Sequence, residues 1–275
     1  MSQTGQRPSP LAVGVDLGGT WLRLVALRDG QVIRRTRRTI PLSQVSKFLP
    51  THLGGSTTIG ALVIAARGVW TAAERSAVKR ALRRAAARVH VISDAEAALL
   101  GAHEAQPGVL VLAGTGSIVL GRDSAGRLAR AGGLGPLIGD EGSAFWLGRE
   151  WLRRTPRAAM TARALGRRPD AAARVAALAP RVLARARRGD RVARAIVAAG
   201  QAELAALALS VIRQLRLRPP VSVSWAGGLL AHAWYRAGVR RALARRVRCR
   251  WRPPRIDPAL AAARLAARLA ARGGR

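Results

Sequence analysis

Two glycine-rich turns carry the residues best suited to chemistry in this chain. One spans residues 16–20 (DLGGT) and the other residues 114–117 (GTGS), and each follows an apolar run. Glycine lets the backbone approach an anion closely, and small hydroxyl residues add hydrogen-bond donors. One such turn is equally typical of a hairpin, but two favour a clamp for a polyphosphate. The candidate phosphate-binding residues are Gly18, Gly19, Thr20, Gly114, Thr115, Gly116 and Ser117.

Asp94 is a second chemical candidate. It lies at the end of the predicted buried strand Val89–Ile92, and ligands of open α/β sheets gather at the carboxyl ends of strands. Ser93 and Glu96 match a capping box, so the polar cluster is also explained as the start of a helix. The two interpretations are compatible if Ser93 and Glu96 cap the helix while Asp94 faces a ligand.

The composition limits the class of protein. The formal net charge is +34, and all basic residues except Lys47 and Lys79 are arginines, in a chain without asparagine. That bias is typical of a GC-rich genome, and only two Phe and one Tyr accompany the arginines, so no specific nucleic-acid partner is expected. The single Cys249 argues against a disulfide framework or a cysteine-rich metal site. A polar N-terminus and short apolar runs predict a cytoplasmic protein without a membrane partner.

Strand patterns precede and follow each glycine turn. The first half is interpreted as a β-β-β-α-β-α-β-α unit, with an Asp29-Gly30 hairpin and helices at Thr71–Arg88 and Asp94–His103. The pattern restarts after residue 106 with strands Val109–Ala113, Ser117–Arg122 and Arg127–Ala131. We therefore predict an α/β protein with two lobes, residues 1–105 and 106–275.

The second lobe is predicted to be mostly helical beyond residue 139. The predicted strands are Val221–Trp225 and Val247–Trp251, and the predicted helices are Asp140–Arg153, Arg157–Leu165, Asp170–Arg187, Asp190–Leu215, a helix through Ala244, and Pro258–Ala271. Gly227 and Gly228 follow the first of these strands, as either a tight turn or a surface for a ligand.

Several motifs occur in series along the chain and resemble one family. They are VGVDLGGTWLRL at 13–24, VLAGTGSIVLGR at 111–122, GGLGPLIGDEGSAFWLGREWL at 132–152, WAGGLL at 225–230 and IDPALAAARLA at 256–266. Together they resemble the sugar-kinase branch of the actin-like ATPase superfamily, in the family that joins N-acetylglucosamine kinases to BadF/BcrA-type ATPases. The resemblance implies two actin-like, ribonuclease H-like lobes, each a mixed five-stranded sheet flanked by helices, with an ATP cleft between them.

The resemblance also implies roles for individual residues. Asp94 would be the general base and a sugar contact, and Asp16 would hold Mg²⁺ beside the phosphates of ATP. Gly227 and Gly228 would contact adenosine. Asp140, Glu141 and Gly135 would contact the sugar; helix capping is the alternative for both carboxylates. ATP and Mg²⁺ are the expected cofactors, a small-molecule sugar the substrate, and a homodimer the assembly.

The sequence departs from the resembled pattern near the expected sugar. Leu134 stands where N-acetylglucosamine kinases usually have Trp, and residues 39–47 lack the asparagine of the usual loop. Arg67 adds a cation that could meet an anionic sugar or face solvent.

Two other functions are compatible with the resemblance. Activators of acyl-CoA dehydratases bind a [4Fe-4S] cluster with two cysteines from each subunit, and a single cysteine argues against that role and cluster. A non-catalytic ATP- or sugar-binding sensor is the other alternative.

Overall fold

The computed structural model describes residues 9–18, 21–54, 58–155, 163–165 and 168–271. The chain divides into two compact units, one formed by Met1–Glu104 with Arg255–Arg275 and the other by Ala105–Pro254. The sequence analysis placed the whole of 106–275 in one lobe, and this is wrong for the C-terminal segment. The position of a helix along the chain does not indicate which sheet it packs on, so the packing of the last helix on the first sheet could not be predicted.

The strands of the described residues are β1 (Leu11–Leu17), β2 (Leu22–Arg28), β3 (Gln31–Arg38), β4 (Ile59–Ala66), β5 (Arg88–Ser93), β6 (Gly108–Ala113), β7 (Ser117–Arg122), β8 (Leu128–Gly132), β9 (Val221–Ala226) and β10 (Cys249–Trp251). The helices are α1 (Val45–Leu53), α2 (Ala72–Leu82), α3 (Asp94–His103), α4 (Ala144–Arg154), α5 (Ala171–Ala176), α6 (Ala179–Arg187), α7 (Arg191–Gln214), α8 (Gly228–Ala231), α9 (Ala233–Ala244) and α10 (Pro258–Ala271).

Each unit contains one mixed five-stranded sheet, and the two sheets share one topology. The orders are β3-β2-β1-β4-β5 and β8-β7-β6-β9-β10. In both, the first three strands along the chain are antiparallel and the last two run parallel to the first. Asp29 and Gly30 have positive φ angles in the turn between β2 and β3, as the predicted Asp-Gly hairpin requires. The predicted class of two five-stranded sheets flanked by helices is confirmed.

The C-terminal helix α10 is part of the core of the first unit. Its alanines at 259, 262, 263 and 266 are buried against Ala12, Val25 and Val63 of the sheet. The contact is so close that a Cβ on Gly14 of β1 would lie 2.1 Å from the Ala263 nitrogen. Glu104 forms ion pairs with Arg255 and Arg264 beside this helix. A small-residue helix face and a glycine in β1 therefore bring helix and sheet together.

The second unit has the long helix α7 in its core. Ile196, Leu204, Ala208 and Val211 of this helix are buried with residues of β6, β7 and β9. By length and composition alone α7 could cross a membrane, and 44% of its most apolar window is buried inside the protein. At 24 residues, α7 is longer than the short apolar runs from which no membrane partner was predicted.

Some predicted helices differ from the structure. Helix α2 ends at Leu82 rather than Arg88, because the chain turns with a bond from the Ala85 amide to the Leu82 carbonyl. The predicted helix Asp170–Arg187 is two helices, α5 and α6, and the helix that runs through Ala244 is interrupted at His232, between α8 and α9. The prediction Arg157–Leu165 lies largely outside the described residues.

Candidate functional site

The carboxyl ends of three strands meet at one edge of the first sheet. Leu17 of β1 pairs with Ala66 of β4, and Ala66 pairs with Ser93 of β5, all in parallel register. Asp16, Arg67 and Asp94 therefore lie at the same edge, although they are far apart in sequence. This edge is the usual position for ligands of open α/β sheets.

Asp16 is a buried carboxylate with one ion-pair partner among the described residues. Its side chain is only 6% exposed, and its Oδ2 accepts a hydrogen bond from Arg23 Nη1 at 3.0 Å. Arg23 faces Asp16 directly in the β1–β2 register. Burial raises the pKa of the Asp16 carboxyl, and the Arg23 cation opposes that rise. Sequence reasoning missed Arg23; its place seven residues after Asp16, across a predicted hairpin, was the available signal.

Asp94 is the first residue of α3 and is half-buried. Ser93 Oγ accepts from the Glu96 amide at 3.1 Å, and Glu96 Oε2 accepts from the Ser93 amide at 2.7 Å. The capping box is therefore formed without Asp94, whose Oδ1 accepts from the neighbouring Ala95 amide at 2.9 Å. Burial raises the pKa of Asp94, while the Ala95 amide and Arg67 lower it. Asp94 thus has a raised pKa, and the hydrogen bonds that its carboxylate accepts from described residues come from backbone amides at the start of α3.

Arg67 follows β4 directly and is exposed. Its backbone amide donates to the Leu17 carbonyl at 3.2 Å, which fixes the start of the loop beside β1. Its guanidinium has no ion-pair partner within the part of the chain that the structure describes, and its charge acts on the Asp94 carboxylate. The position therefore suits an anion close to Asp94.

Among the residues of the first glycine turn, Gly18 is described, and Gly19 and Thr20 lie outside the described residues. The Gly18 amide donates to the Trp21 carbonyl at 3.1 Å, which closes the hairpin between β1 and β2.

The second glycine turn is fixed against the first turn of α4. The carbonyls of Gly114 and Thr115 accept hydrogen bonds from the Ala144 and Phe145 amides at 2.9 and 3.0 Å. Within the turn, the Gly114 amide donates to the Gly116 carbonyl at 2.9 Å. The amides of Thr115 and Gly116 have no acceptor among the described residues, so two donors remain for a ligand.

Asp140 supports this turn from a separate loop. Its Oδ1 accepts from the Ser117 amide at 3.0 Å, and Ser117 Oγ donates to the Glu141 carbonyl at 2.7 Å. Asp140 is buried and has a φ of 62°. The residue that caps α4 is Ser143, whose Oγ accepts from the Trp146 amide at 3.1 Å. Helix α4 therefore begins at Ala144 and not at Asp140, and capping of α4 is not the role of Asp140 or Glu141.

The Gly227–Gly228 turn lies against the second glycine turn. Gly227 has a φ of 93°, and a Cβ there would lie 2.3 Å from the Ala113 carbonyl oxygen. A Cβ on Gly228 would meet nothing within 4 Å. The two turns are nevertheless close, since a Cβ on Gly114 would lie 3.8 Å from the Gly228 nitrogen. Gly227 is thus required by the packing of two loops, whereas Gly228 leaves open space beside them.

The remaining sugar candidate, Gly135, lies in a loop that exposes apolar side chains. Gly135 has a φ of 78°, and its carbonyl accepts from the Gly139 amide at 2.9 Å. Leu137 is 92% exposed and Ile138 is 74% exposed in the same loop. No contact of Gly135 beyond its own loop is recorded among the described residues.

A magnesium ion fits the chemistry of Asp16. Among the described residues, no group of three or more His, Cys, Asp or Glu side chains could hold a metal. Mg²⁺ bound with a nucleotide keeps several waters and uses one or two carboxylates in addition to the phosphates. Asp16, one buried carboxylate at the start of the first glycine turn, therefore meets the carboxylate part of this requirement.

Comparison with known proteins agrees with the two sheets and with the motifs. Residues 13–266 match the sequence model of the BadF/BadG/BcrA/BcrD ATPase family. An N-acetylmuramic acid/N-acetylglucosamine kinase of Clostridium acetobutylicum is 51% identical over 61 residues, which are 22% of this chain and 20% of that protein. An N-acetyl-D-glucosamine kinase of Dictyostelium discoideum is 45% identical over 51 residues, 18% of this chain and 16% of its own. The matched segments thus span a fifth or less of these curated relatives.

A solved structure covers much more of the chain. A protein of Chromobacterium violaceum that carries the provisional name N-acetylglucosamine kinase aligns with a TM-score of 0.67 and 25% identity. The alignment covers 94% of this chain and 99% of that protein.

Proposed function

The chain belongs to the BadF/BadG/BcrA/BcrD ATPase family, and from this premise we propose that it transfers the γ-phosphoryl group of ATP to a hydroxyl of an N-acetylated amino sugar. The observation that carries the proposal is the half-buried Asp94 carboxylate, which shares a strand-end edge with Asp16 and Arg67. The names of the curated relatives support the choice of sugar.

Asp94 acts as the general base. A sugar hydroxyl next to this carboxylate gives up its proton to it as the hydroxyl oxygen bonds to the γ-phosphorus. The bond from that phosphorus to the bridging oxygen of ADP breaks, ADP leaves, and Asp94 returns its proton to solvent. A carboxylate with a raised pKa is a stronger base than an exposed aspartate, so burial contributes directly to the step.

The glycine turns hold the nucleotide. The amides of Thr115 and Gly116, which have no acceptor among the described residues, and the Thr115 hydroxyl donate to phosphate oxygens. In the first turn, Gly19 and Thr20 act as donors, and Gly18, whose amide donates to the Trp21 carbonyl, lets the backbone approach the phosphates closely. Asp16 holds Mg²⁺, which neutralises charge on the phosphates when it is bound. Gly228 provides the open backbone surface for adenosine beside Gly227.

Asp94 of the first unit is the first candidate for contact with the acceptor sugar, and Gly135, Asp140 and Glu141 of the second unit are the other candidates. The Asp140 carboxylate already accepts from the Ser117 amide, so any sugar contact of this residue is made in addition to that hydrogen bond. Arg67 adds a recognition element for a carboxylate on the sugar. N-acetylmuramic acid, the first sugar in the name of one relative, carries such a group.

Cys249 gives no support to an iron–sulfur activator. It is the only cysteine, and burial raises the pKa of its thiol to about 11. A thiol with that pKa is protonated at neutral pH and is a poor ligand for iron.

The experiment is an acceptor panel. ADP release is measured with Mg²⁺ and ATP in the presence of N-acetylglucosamine, N-acetylmuramic acid, glucosamine, glucose or no sugar. We expect turnover that depends on an N-acetylated sugar. Hydrolysis independent of sugar would favour an ATPase without kinase activity, and nucleotide binding without turnover would favour a sensor.

A further inference from the structure

Tyr235 is the only tyrosine of the chain, and its hydroxyl is fully buried. The hydroxyl donates to the Gly142 carbonyl at 2.8 Å, across 93 residues of sequence. Burial raises the pKa of the phenol, so the group stays protonated and remains a donor at any working pH. A tyrosine in an apolar core is therefore used for one specific hydrogen bond.

Gly142 occupies a tightly packed position. A Cβ at Gly142 would lie 2.3 Å from the Gly200 carbonyl oxygen of α7 and 2.7 Å from Leu204. Gly200 in turn approaches Tyr235, since a Cβ on Gly200 would lie 2.7 Å from the hydroxyl. Helices α7 and α9 thus fix the carbonyl that the hydroxyl contacts.

The segment that Tyr235 holds is the one that supports the second glycine turn. We name residues 139–143 the signature loop. Asp140 Oδ1 accepts from the Ser117 amide, and the Glu141 carbonyl accepts from Ser117 Oγ. A displacement of the Gly142 carbonyl would therefore move both contacts to Ser117.

The same helix is also bonded to the short helix α8 that precedes it. Arg236, next to Tyr235, donates to the Leu230 carbonyl at 2.6 Å and to the Ala231 carbonyl at 3.3 Å. Both carbonyls belong to α8, which begins at Gly228. Helix α9 therefore contacts the signature loop through Tyr235 and the end of α8 through Arg236.

We propose that Tyr235 is a positioning residue that holds the signature loop, and through it the second glycine turn, in the geometry that binds substrates. The inference rests on the proposed function because it assumes that these segments contact ATP and sugar. It predicts an effect on ligand binding beyond the loss of stability that any core change causes.

The test compares two variants of one helix. Tyr235→Phe removes the hydroxyl alone, and Val239→Ala removes buried carbons one turn further along α9 without touching a polar group. Both variants lower the thermal midpoint. At a temperature where both are fully folded, we expect Tyr235→Phe to weaken AMPPNP binding about tenfold, measured by calorimetry, and Val239→Ala to bind as the wild type does.

Kinetics give a second measurement. Tyr235→Phe is expected to raise KM for ATP and for the sugar about tenfold with kcat changed less than twofold, because Asp94 is untouched. If Tyr235→Phe keeps the AMPPNP affinity and the KM values of the wild type, Tyr235 is not a positioning residue. The same conclusion follows if Val239→Ala changes the affinity and the KM values as much as Tyr235→Phe does. A wild-type enzyme that phosphorylates no sugar would instead contradict the proposed function, and the AMPPNP titration would still test Tyr235.

A single tyrosine also allows direct observation. Protein grown with ¹³Cζ-labelled tyrosine gives one ring resonance, which reports the hydrogen bond of Tyr235. We expect this resonance to shift on addition of AMPPNP. A resonance that does not move at a concentration where calorimetry shows saturation would contradict the link between Tyr235 and the ligand-binding turn.

Discussion

Asp140 holds the backbone of Ser117 through its carboxylate, at 3.0 Å between Oδ1 and the amide nitrogen. Gly116 lies against the same carboxylate, since a Cβ there would come within 2.6 Å of Oδ1. The signature loop and the second glycine turn are therefore one assembly. An acidic side chain supports the loop that is proposed to receive phosphates, so its effect on ATP binding is structural as well as electrostatic.

Removal of that carboxylate should impair the turn. Asp140→Ala leaves the Ser117 amide buried without its acceptor, at a cost of about 1–3 kcal/mol in the free energy of unfolding. We expect a KM for ATP at least about tenfold higher. Asp140→Asn retains an acceptor oxygen and serves as the matched control, with a smaller loss on both measures. Denaturant unfolding measures the loss of stability, and AMPPNP titration measures the nucleotide affinity. An Asp140→Ala protein that binds AMPPNP as tightly as the wild type would show that Asp140 does not support the second glycine turn.

The two glycines after β9 should respond differently to substitution. Gly227→Ala places a methyl group 2.3 Å from the Ala113 carbonyl oxygen at a φ of 93°, and we expect a loss of about 2 kcal/mol or more in stability. Gly228→Ala meets open space, so its thermal midpoint should stay near that of the wild type.

Nucleotide binding tests whether Gly228 contacts adenosine. If adenosine lies against Gly228, the methyl group introduced by Gly228→Ala weakens AMPPNP binding although the variant is as stable as the wild type. A Gly228→Ala protein with unchanged affinity would exclude close approach of the nucleotide there.

The pH profile of kcat/KM should depend on Arg67. Burial raises the pKa of Asp94 and the Arg67 cation lowers it, because the cation favours the ionised carboxylate. Activity needs that ionised form, so the rate falls as the pH drops through the pKa of Asp94. Arg67→Ala removes the cation and raises this pKa, which moves the acid limb to higher pH, whereas Arg67→Lys retains a charge and moves it less. An acid limb that stays in place in Arg67→Ala would show that Arg67 does not act on the base.

Substitution of Gly14 tests the assignment of α10 to the first unit. A methyl group at this position would overlap the Ala263 nitrogen and the Ala259 carbonyl oxygen, at 2.1 and 2.4 Å. We expect a loss of about 2–3 kcal/mol in the free energy of unfolding, since the backbone of a helix cannot move aside without loss of its packing. Stability comparable to Gly228→Ala would argue against close contact between α10 and β1.

The strands and their succession along the chain were predictable because their pattern is local. Apolar runs bounded by Gly, Pro or Asp-Gly turns marked β1, β2, β6 and β7, and their repetition indicated two similar sheets. The capping box at Ser93 and Glu96 was visible for the same reason, since both bonds are made within one turn of helix.

The parts that were missed depend on contacts distant in sequence. The start of α4 was placed at Asp140, but positive φ angles at Asp140 and Gly142 keep the helix from forming before Ser143. The bond from Tyr235 to Gly142 and the packing of α10 on Gly14 join segments separated by 93 residues or more. No periodicity or motif reports such contacts. Sequence patterns therefore predicted local elements such as strands and the capping box, and they missed the long-range contacts that hold the candidate site residues in place.

In the proposed reaction, Asp94 removes the proton from the acceptor hydroxyl. Asp94→Asn keeps the shape of the side chain and the capping box of Ser93 and Glu96, so the fold and the binding of sugar and AMPPNP should remain. The most direct measurement is the single-turnover rate of phosphoryl transfer to N-acetylglucosamine, with sugar affinity measured in parallel. We predict a rate about 10²–10⁴-fold lower at unchanged affinity, and a variant that transfers phosphate at the wild-type rate would contradict the account.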